Sequence, residues 1–307
     1  MKRISLFVVL LLAVLLLLPP VWYSVFPEEG SRLPAPGRRI PLTDGTSVNV
    51  VDQGRGAPIV LVHGLPGSAY DWRPTQEALA DRGYRVLAYD RVGYGRSDPS
   101  PLGVYTVESS GRDLIALLDS EGFEDATVVG WSYGGAASMA AALRDSSRIG
   151  RLVLVGSAGY QEDAPEVPLW LQGVSVGILT WASYVPPVER ALQAVVSEQA
   201  FAPDSAPDWW LPQLEANFQQ SGTEEAWLGE QATYQWSGPD PRPIRAPILI
   251  VHGEEDALVP LSVGEWLHER AVDSQIHVIE DAGHMLPVTH AEVLADQIHA
   301  FIESGSG

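Results

Sequence analysis

Ala126-Thr127-Val128-Val129-Gly130-Trp131-Ser132-Tyr133-Gly134-Gly135-Ala136-Ala137 is the stretch that decides the fold of this 307-residue chain. An apolar run ends at Trp131, and an Ala-rich helical pattern runs from Tyr133 to Arg144. Between them stands Gly130-x-Ser132-x-Gly134. A sharp strand-to-helix turn lifts a serine clear of a sheet, and glycines on both sides leave room for the strained backbone. The N-terminus of the helix favours negative charge developing beside it. These residue types at this spacing make Ser132 the candidate nucleophile; the competing reading is a chance pentapeptide at an ordinary βα turn.

Working outward, short strand-like runs alternate with helical stretches. Strands are expected at Ser47 to Gln53, Pro58 to Val62, Tyr84 to Asp90, Arg151 to Val155, Pro247 to Val251 and Gln275 to Glu280. Helices are expected at Tyr70 to Arg82, Val107 to Glu121, Leu261 to Ala271 and His290 to Glu303. The continuous apolar run Pro58 to Val62 suits a strand covered on both faces. This alternation implies an α/β fold, a parallel sheet wrapped by helices. The rhythm breaks at about 160–245, where Trp170, Trp181, Trp209, Trp210, Trp227 and Trp236 are scattered among prolines. This segment reads as an insertion over the C-terminal ends of the strands, where open α/β sheets bind ligands.

A serine needs a base, and there are seven histidines. His268, His290 and His299 lie in helical stretches and His277 in a strand. His63 and His252 each precede a glycine at a strand end, as structural hydrogen-bonding groups would. A serine on this kind of turn is followed in the chain by its acid and then by its histidine, which selects His284, in the loop after the last strand. The acid belongs after the penultimate strand, where Gly253-Glu254-Glu255-Asp256 supplies three carboxylates. Asp281 reads as a turn former. The oxyanion of an acyl-transfer reaction needs preorganised N–H donors. Tyr133, directly after the serine, supplies one candidate, and Leu65 in His63-Gly64-Leu65-Pro66-Gly67 supplies the other.

Taken together, His63-Gly64, Asp90-Arg91-Val92-Gly93-Tyr94-Gly95-Arg96-Ser97, the Ser132 turn, Gly253-x-x-Asp256 and Gly283-His284 make the chain resemble the α/β-hydrolase superfamily over Ile40 to Glu303. The resemblance implies a mostly parallel eight-stranded sheet with helices on both faces and a helical cap, and it favours Asp256 as the acid. It also implies that Asp90 and Arg91 make internal polar contacts. Epoxide hydrolases and haloalkane dehalogenases of the superfamily carry Asp at the nucleophile, because a carboxylate attacking an sp³ carbon gives a cleavable ester. Serine would give a stable ether, and Tyr160, Tyr184 and Tyr234 in the cap do not rescue that reading. Ser132 points to acyl chemistry through an acyl-enzyme: an ester or related bond, or alternatively a carbon–carbon bond beside a carbonyl or perhydrolysis. The rival from another class is a ligand-binding protein that keeps the fold without turnover. No metal or organic cofactor is implied, and the cap tryptophans suggest a hydrophobic acyl substrate.

Composition bounds the rest. The chain has 46% hydrophobic residues and no cysteine, so disulfides and thiolate sites are excluded. A formal charge of -20 argues against nucleic acid, whose binding needs clustered Lys and Arg. Lys2 and Arg3 precede an apolar run from Phe7 to Leu18, followed by Pro19, Pro20, Trp22 and Tyr23. A helix from Ile4 to Phe26 would span about 34 Å, enough for a bilayer core. Residues 1–26 are therefore expected to be a membrane anchor or transmembrane segment with the catalytic domain outside the cytoplasm. Secretion after signal cleavage is the alternative, and 27–39 are expected to be a linker.

Overall fold

The computed structural model describes residues 37–160, 194–195, 197–234 and 238–305. The expected membrane segment, most of the expected linker, and Trp170, Trp181, Tyr184 and Trp236 lie outside the described residues. No helix among the described residues is long and apolar enough to cross a membrane.

Eight strands form one sheet: β1 (Arg38–Pro41), β2 (Ser47–Gly54), β3 (Pro58–Val62), β4 (Arg85–Tyr89), β5 (Ala126–Trp131), β6 (Ile149–Val155), β7 (Ile248–Gly253) and β8 (Ser274–Ile279). Their order across the sheet is β1-β2-β4-β3-β5-β6-β7-β8. β2 pairs antiparallel with both β1 and β4, and every other pairing is parallel. Arg38 and Arg39, expected in the linker, belong to β1 instead. They pair with Val50 and Asn49, and Ile40 beside them is buried.

Among the described residues the helices include α1 (Arg73–Asp81), α2 (Val107–Glu121), α3 (Tyr133–Arg144), α4 (Trp210–Phe218), α5 (Thr223–Thr233), α6 (Leu261–Arg270), α7 (Leu286–Thr289) and α8 (Ala291–Ser304). Thr106 caps α2 through the Ser109 N–H, and Gly122 closes it at φ 67°, as a left-handed C-terminal position favours. The expected helix from Tyr70 to Arg82 splits into a 3-10 turn, Ala69–Trp72, followed by α1. Alternate residues of β3 serve two cores. Val60 and Val62 join Leu114 and Leu117 of α2 and Met139 of α3. Ile59 and Leu61 join Leu79 of α1 and Leu294 and Ile298 of α8. Each such buried aliphatic side chain contributes about 1.5–3 kcal/mol, so the centre of the sheet is a rigid base for the loops at its C-terminal edge.

Helices α4 and α5 come from the insertion between β6 and β7 and rest on the loops that follow β3 and β4. Asn217 Nδ2 donates to Gly67 O at 2.7 Å, and Gly95 N donates to Asn217 Oδ1 at 2.7 Å. Thr223 Oγ1 donates to Gly93 O at 3.1 Å. Trp210 packs on Phe201, is buried and donates from Nε1 to Asp71 Oδ1 at 3.1 Å, so this tryptophan joins the insertion to the core that holds Ile59 and Leu61.

Candidate active site

Ser132 sits between β5 and α3 at φ 54° and ψ -124°, a backbone state that L-residues adopt only when their surroundings enforce it. Its N–H donates to Val155 O at 3.0 Å, and its carbonyl accepts from Gly135 N at 2.9 Å and Ala158 N at 3.0 Å. The flanking glycines are needed for space. A Cβ on Gly130 would stand 2.4 Å from Gly134 O, and one on Gly134 would stand 2.2 Å from Val62 O.

Asp256 follows β7. Its Oδ1 accepts the N–H groups of Leu258 at 2.9 Å and Val259 at 2.8 Å. Its Oδ2 lies 2.7 Å from Nδ1 of His284, which follows β8. Both side chains are buried. A carboxylate only accepts, so Nδ1 carries the proton and Nε2 is left as the basic nitrogen. Burial alone would push the Asp256 carboxyl up; the charge and hydrogen bond of His284, with the Val259 N–H, outweigh it and hold it below the usual carboxylate range.

The end of β6 joins this pair to the serine. Val155 O takes the Ser132 N–H, and a Cβ on the next residue, Gly156, would lie 3.1 Å from Asp256 Oδ2. Trp131, the residue before the serine, donates from Nε1 to His284 O at 2.9 Å, with the two rings 5.3 Å apart. Serine, histidine and carboxylate thus gather at the C-terminal edge of β5 to β8.

Leu65 and Tyr133, the candidate oxyanion donors, each adjoin a residue that packs at the serine turn: Leu65 follows Gly64, and Tyr133 follows Ser132 itself. Among the described residues neither N–H has a protein acceptor, and a Cβ on Gly64 would stand 3.0 Å from Ser132 Cβ. His63 is fully buried. It donates from Nδ1 to Gly64 O at 2.9 Å and accepts the Arg91 N–H at Nε2 at 2.9 Å. Burial, with the nearby Arg91 charge, holds its pKa well below the ordinary imidazole value, in keeping with a neutral, structural ring. His252 is also buried and donates from Nε2 to Val259 O at 2.8 Å. Desolvation lowers its pKa as well. Glu254 and Glu255 are exposed, and Asp281 holds a turn at φ 52°. Tyr234 is committed to Gly159 O at 2.9 Å, while Tyr160 is exposed. Asp90 accepts from Ala69 N at 2.8 Å, Arg96 N at 2.9 Å and Asn49 Nδ2 at 2.9 Å, the internal contacts expected of it. Among the described residues no group of three or more His, Cys, Asp or Glu side chains could hold a metal ion.

A family model described as alpha/beta hydrolase fold matches residues 57–291. The chain belongs to this family. Among alpha/beta hydrolases, it is 31% identical over 261 residues to a 2-hydroxy-6-oxo-2,4-heptadienoate hydrolase of Pseudomonas putida, covering 81% of this chain and 90% of the relative. It is 29% identical over 283 residues to a 2-hydroxymuconate semialdehyde hydrolase of the same species, covering 88% and 95%. A solved meta-cleavage product hydrolase from Pseudomonas fluorescens (CumD) superposes with a TM-score of 0.73 at 29% identity, covering 88% of this chain and 99% of that one. An esterase from Exiguobacterium antarcticum superposes equally well, at 0.73, with 24% identity over 87% and 99%; at that identity the likeness is one of fold.

Two site features escape sequence reasoning. The Trp131 bond to His284 O joins positions 153 apart in the chain, and nothing local signals it. Glu230, on α5, reads in the sequence as one more acid of an acidic chain, yet it is buried against Arg91.

Proposed function

We propose that this alpha/beta hydrolase cleaves a bond beside a carbonyl with Ser132 as nucleophile, His284 as base and Asp256 as its orienting acid. We infer further that the bond is a carbon–carbon bond, because the compounds its relatives are named for, a semialdehyde and a 6-oxo-dienoate, contain no ester or amide to cleave. The 2.7 Å Asp256–His284 contact beside the strained serine carries the reading. His284 Nε2 takes the Ser132 proton as Oγ adds to the carbonyl carbon, and the carbonyl electron pair becomes an oxyanion facing the Leu65 and Tyr133 amides. Collapse breaks the bond to the leaving group, which takes the proton from His284. Water then releases the acyl group from Ser132 by the same steps.

A carbon leaving group departs only when its negative charge is delocalised. That restricts substrates to ketones whose scissile carbon is sp³ and next to a conjugated carbonyl system when the bond breaks. A 2-hydroxy-6-oxo-dienoate meets this as its 2,6-dioxo-3-enoate tautomer, in which the enol proton has moved to C5 and the C5–C6 electron pair departs as a dienolate. Ester cleavage, the first expectation from sequence, becomes the second reading. One observation favours it: among the described residues the buried arginine, Arg91, is already neutralised by Glu230 and is not available to a substrate carboxylate. The deciding experiment compares turnover of 2-hydroxy-6-oxohepta-2,4-dienoate and p-nitrophenyl butyrate by the parent and by Ser132→Ala. Preference for the dienoate, abolished by the substitution, supports the first reading, and preference for the ester supports the second. Full turnover by Ser132→Ala refutes both.

The apolar stretch at residues 4–26 supports anchoring in a membrane with the hydrolase outside the cytoplasm, with secretion as the alternative. Under this proposal the full chain resists carbonate extraction from membranes and is digested by protease added outside intact cells. Recovery in the cytosolic fraction would refute it.

A further inference from the structure

The Gly64–Leu65 peptide is held by its carbonyl. Gly64 O accepts from His63 Nδ1 at 2.9 Å and from Arg91 Nη2 at 3.0 Å. The preceding carbonyl, His63 O, accepts from Arg91 Nε at 3.2 Å. In a planar trans peptide the N–H points opposite to the C=O. Fixing Gly64 O against the guanidinium therefore turns the Leu65 N–H away from Arg91, while Gly64 itself lies against Ser132. Arg91 in turn has little freedom. Its guanidinium carbon stands 4.7 Å from the ring centres of both Tyr94 and Tyr133. Glu230 Oε2 accepts from Nη2 at 3.1 Å, the other carboxylate oxygen pairs with Nη1, and Tyr94 OH donates to Glu230 at 2.8 Å. Arg91 and Glu230 are 2% and 1% exposed.

A buried ion pair is weak stabilisation, because desolvation offsets the attraction. This one has a directional consequence. Its acid comes from α5 of the insertion, and its base grips two carbonyls of the loop after β3. We infer that Glu230 and Arg91 are positioning residues through which the helical insertion sets the Leu65 N–H as an oxyanion donor. The insertion, by way of Glu230, Arg91 and the Gly64 carbonyl, holds the donor in register with Ser132. Displacing α5 would disengage it. This inference rests on the serine-hydrolase reading above.

The test replaces both charges with apolar groups of similar volume, Arg91→Met with Glu230→Met, since such a swap leaves no unpaired buried charge. Arg91→Lys is the second variant, because an ammonium pairs with Glu230 without matching the guanidinium fork. The substrate is p-nitrophenyl butyrate. The probe is 1,1,1-trifluorooctan-2-one, whose carbonyl carbon bonds to Ser132 Oγ while the proton passes to His284 and the carbonyl oxygen becomes an oxyanion in the same place as in the reaction. In folded variants kcat is expected to fall about 10- to 100-fold, a fraction of what losing a whole donor costs. KM should change little, and affinity for the ketone should fall by the same factor as kcat. Three outcomes overturn the inference: kcat and ketone affinity both within two-fold of the parent, a raised KM with unchanged kcat, or a lowered kcat with ketone affinity intact. Ser132→Ala in the same assay separates the two claims: residual full turnover there sinks the serine reading itself, whereas its loss leaves the variants to judge the positioning role alone.

Discussion

Replacing Asp256 by Asn changes one atom and should silence the enzyme for a reason the structure supplies. Oδ1 of Asp256 is claimed by two backbone donors, Leu258 N at 2.9 Å and Val259 N at 2.8 Å. An Asn must therefore place its carbonyl oxygen there and turn its NH₂ toward His284 Nδ1, which stands 2.7 Å from the present Oδ2. Facing a donor, Nδ1 gives up its proton and becomes an acceptor, so the ring carries hydrogen on Nε2. An Nε2–H imidazole cannot take the serine proton. The imidazolium formed during attack also loses its negative partner. Together these effects should lower kcat by about 10⁴-fold, which corresponds to about 5.5 kcal/mol of transition-state stabilisation. KM should change little, since Asp256 does not face the substrate. The assay is steady-state turnover of the preferred substrate, with the rate of fluorophosphonate labelling of Ser132 as a second readout and circular dichroism to confirm folding. A folded Asp256→Asn protein within ten-fold of the parent would refute the tautomer argument, and with it Asp256 as the orienting acid.

Asp71 offers a pH prediction. It is buried, and desolvation raises its pKa from 3.8 to about 7 despite donors from Ser68 and Trp210. Between those values the folded state holds a proton that the unfolded chain has lost. The associated stability is fully present below pH 3.8 and is lost as pH rises through about 7, a span on the order of 4 kcal/mol at most. The parent's urea midpoint should therefore fall between pH 5 and 8 relative to that of Asp71→Asn; parallel curves would show that Asp71 does not titrate in this range. Gly134→Ala would push a methyl to 2.2 Å from Val62 O and 2.5 Å from His63 O, backbone atoms in and beside the central strand that cannot move aside. About 3 kcal/mol of stability should be lost, seen as a Tm lower by about 6–12 °C; a Tm within two degrees of the parent would contradict the packing of this turn.

Most of the sheet, the candidate nucleophile Ser132 and its candidate base His284 were legible in residue types and their order alone. Period, apolar runs and turn residues are local, and the Ser132 turn, the loop after Pro58–Val62 and the loop carrying His284 each have a composition that only one kind of backbone satisfies. Their chain order then named the histidine. For the acid, composition left Glu254, Glu255 and Asp256 open, and family resemblance chose among them; the tertiary structure shows Asp256 alone turned to His284, because two backbone N–H groups fix its rotamer. Tertiary structure also decided what no local pattern encodes. Arg38 and Arg39 became a strand because Val50 and Asn49 offered an edge. Trp131 reached His284 across 153 positions, and Glu230 was drawn out of an acidic surface composition into the core by an arginine 139 positions away. Local residue types fix how the backbone turns, but the partner that balances a buried charge is set only when distant segments pack.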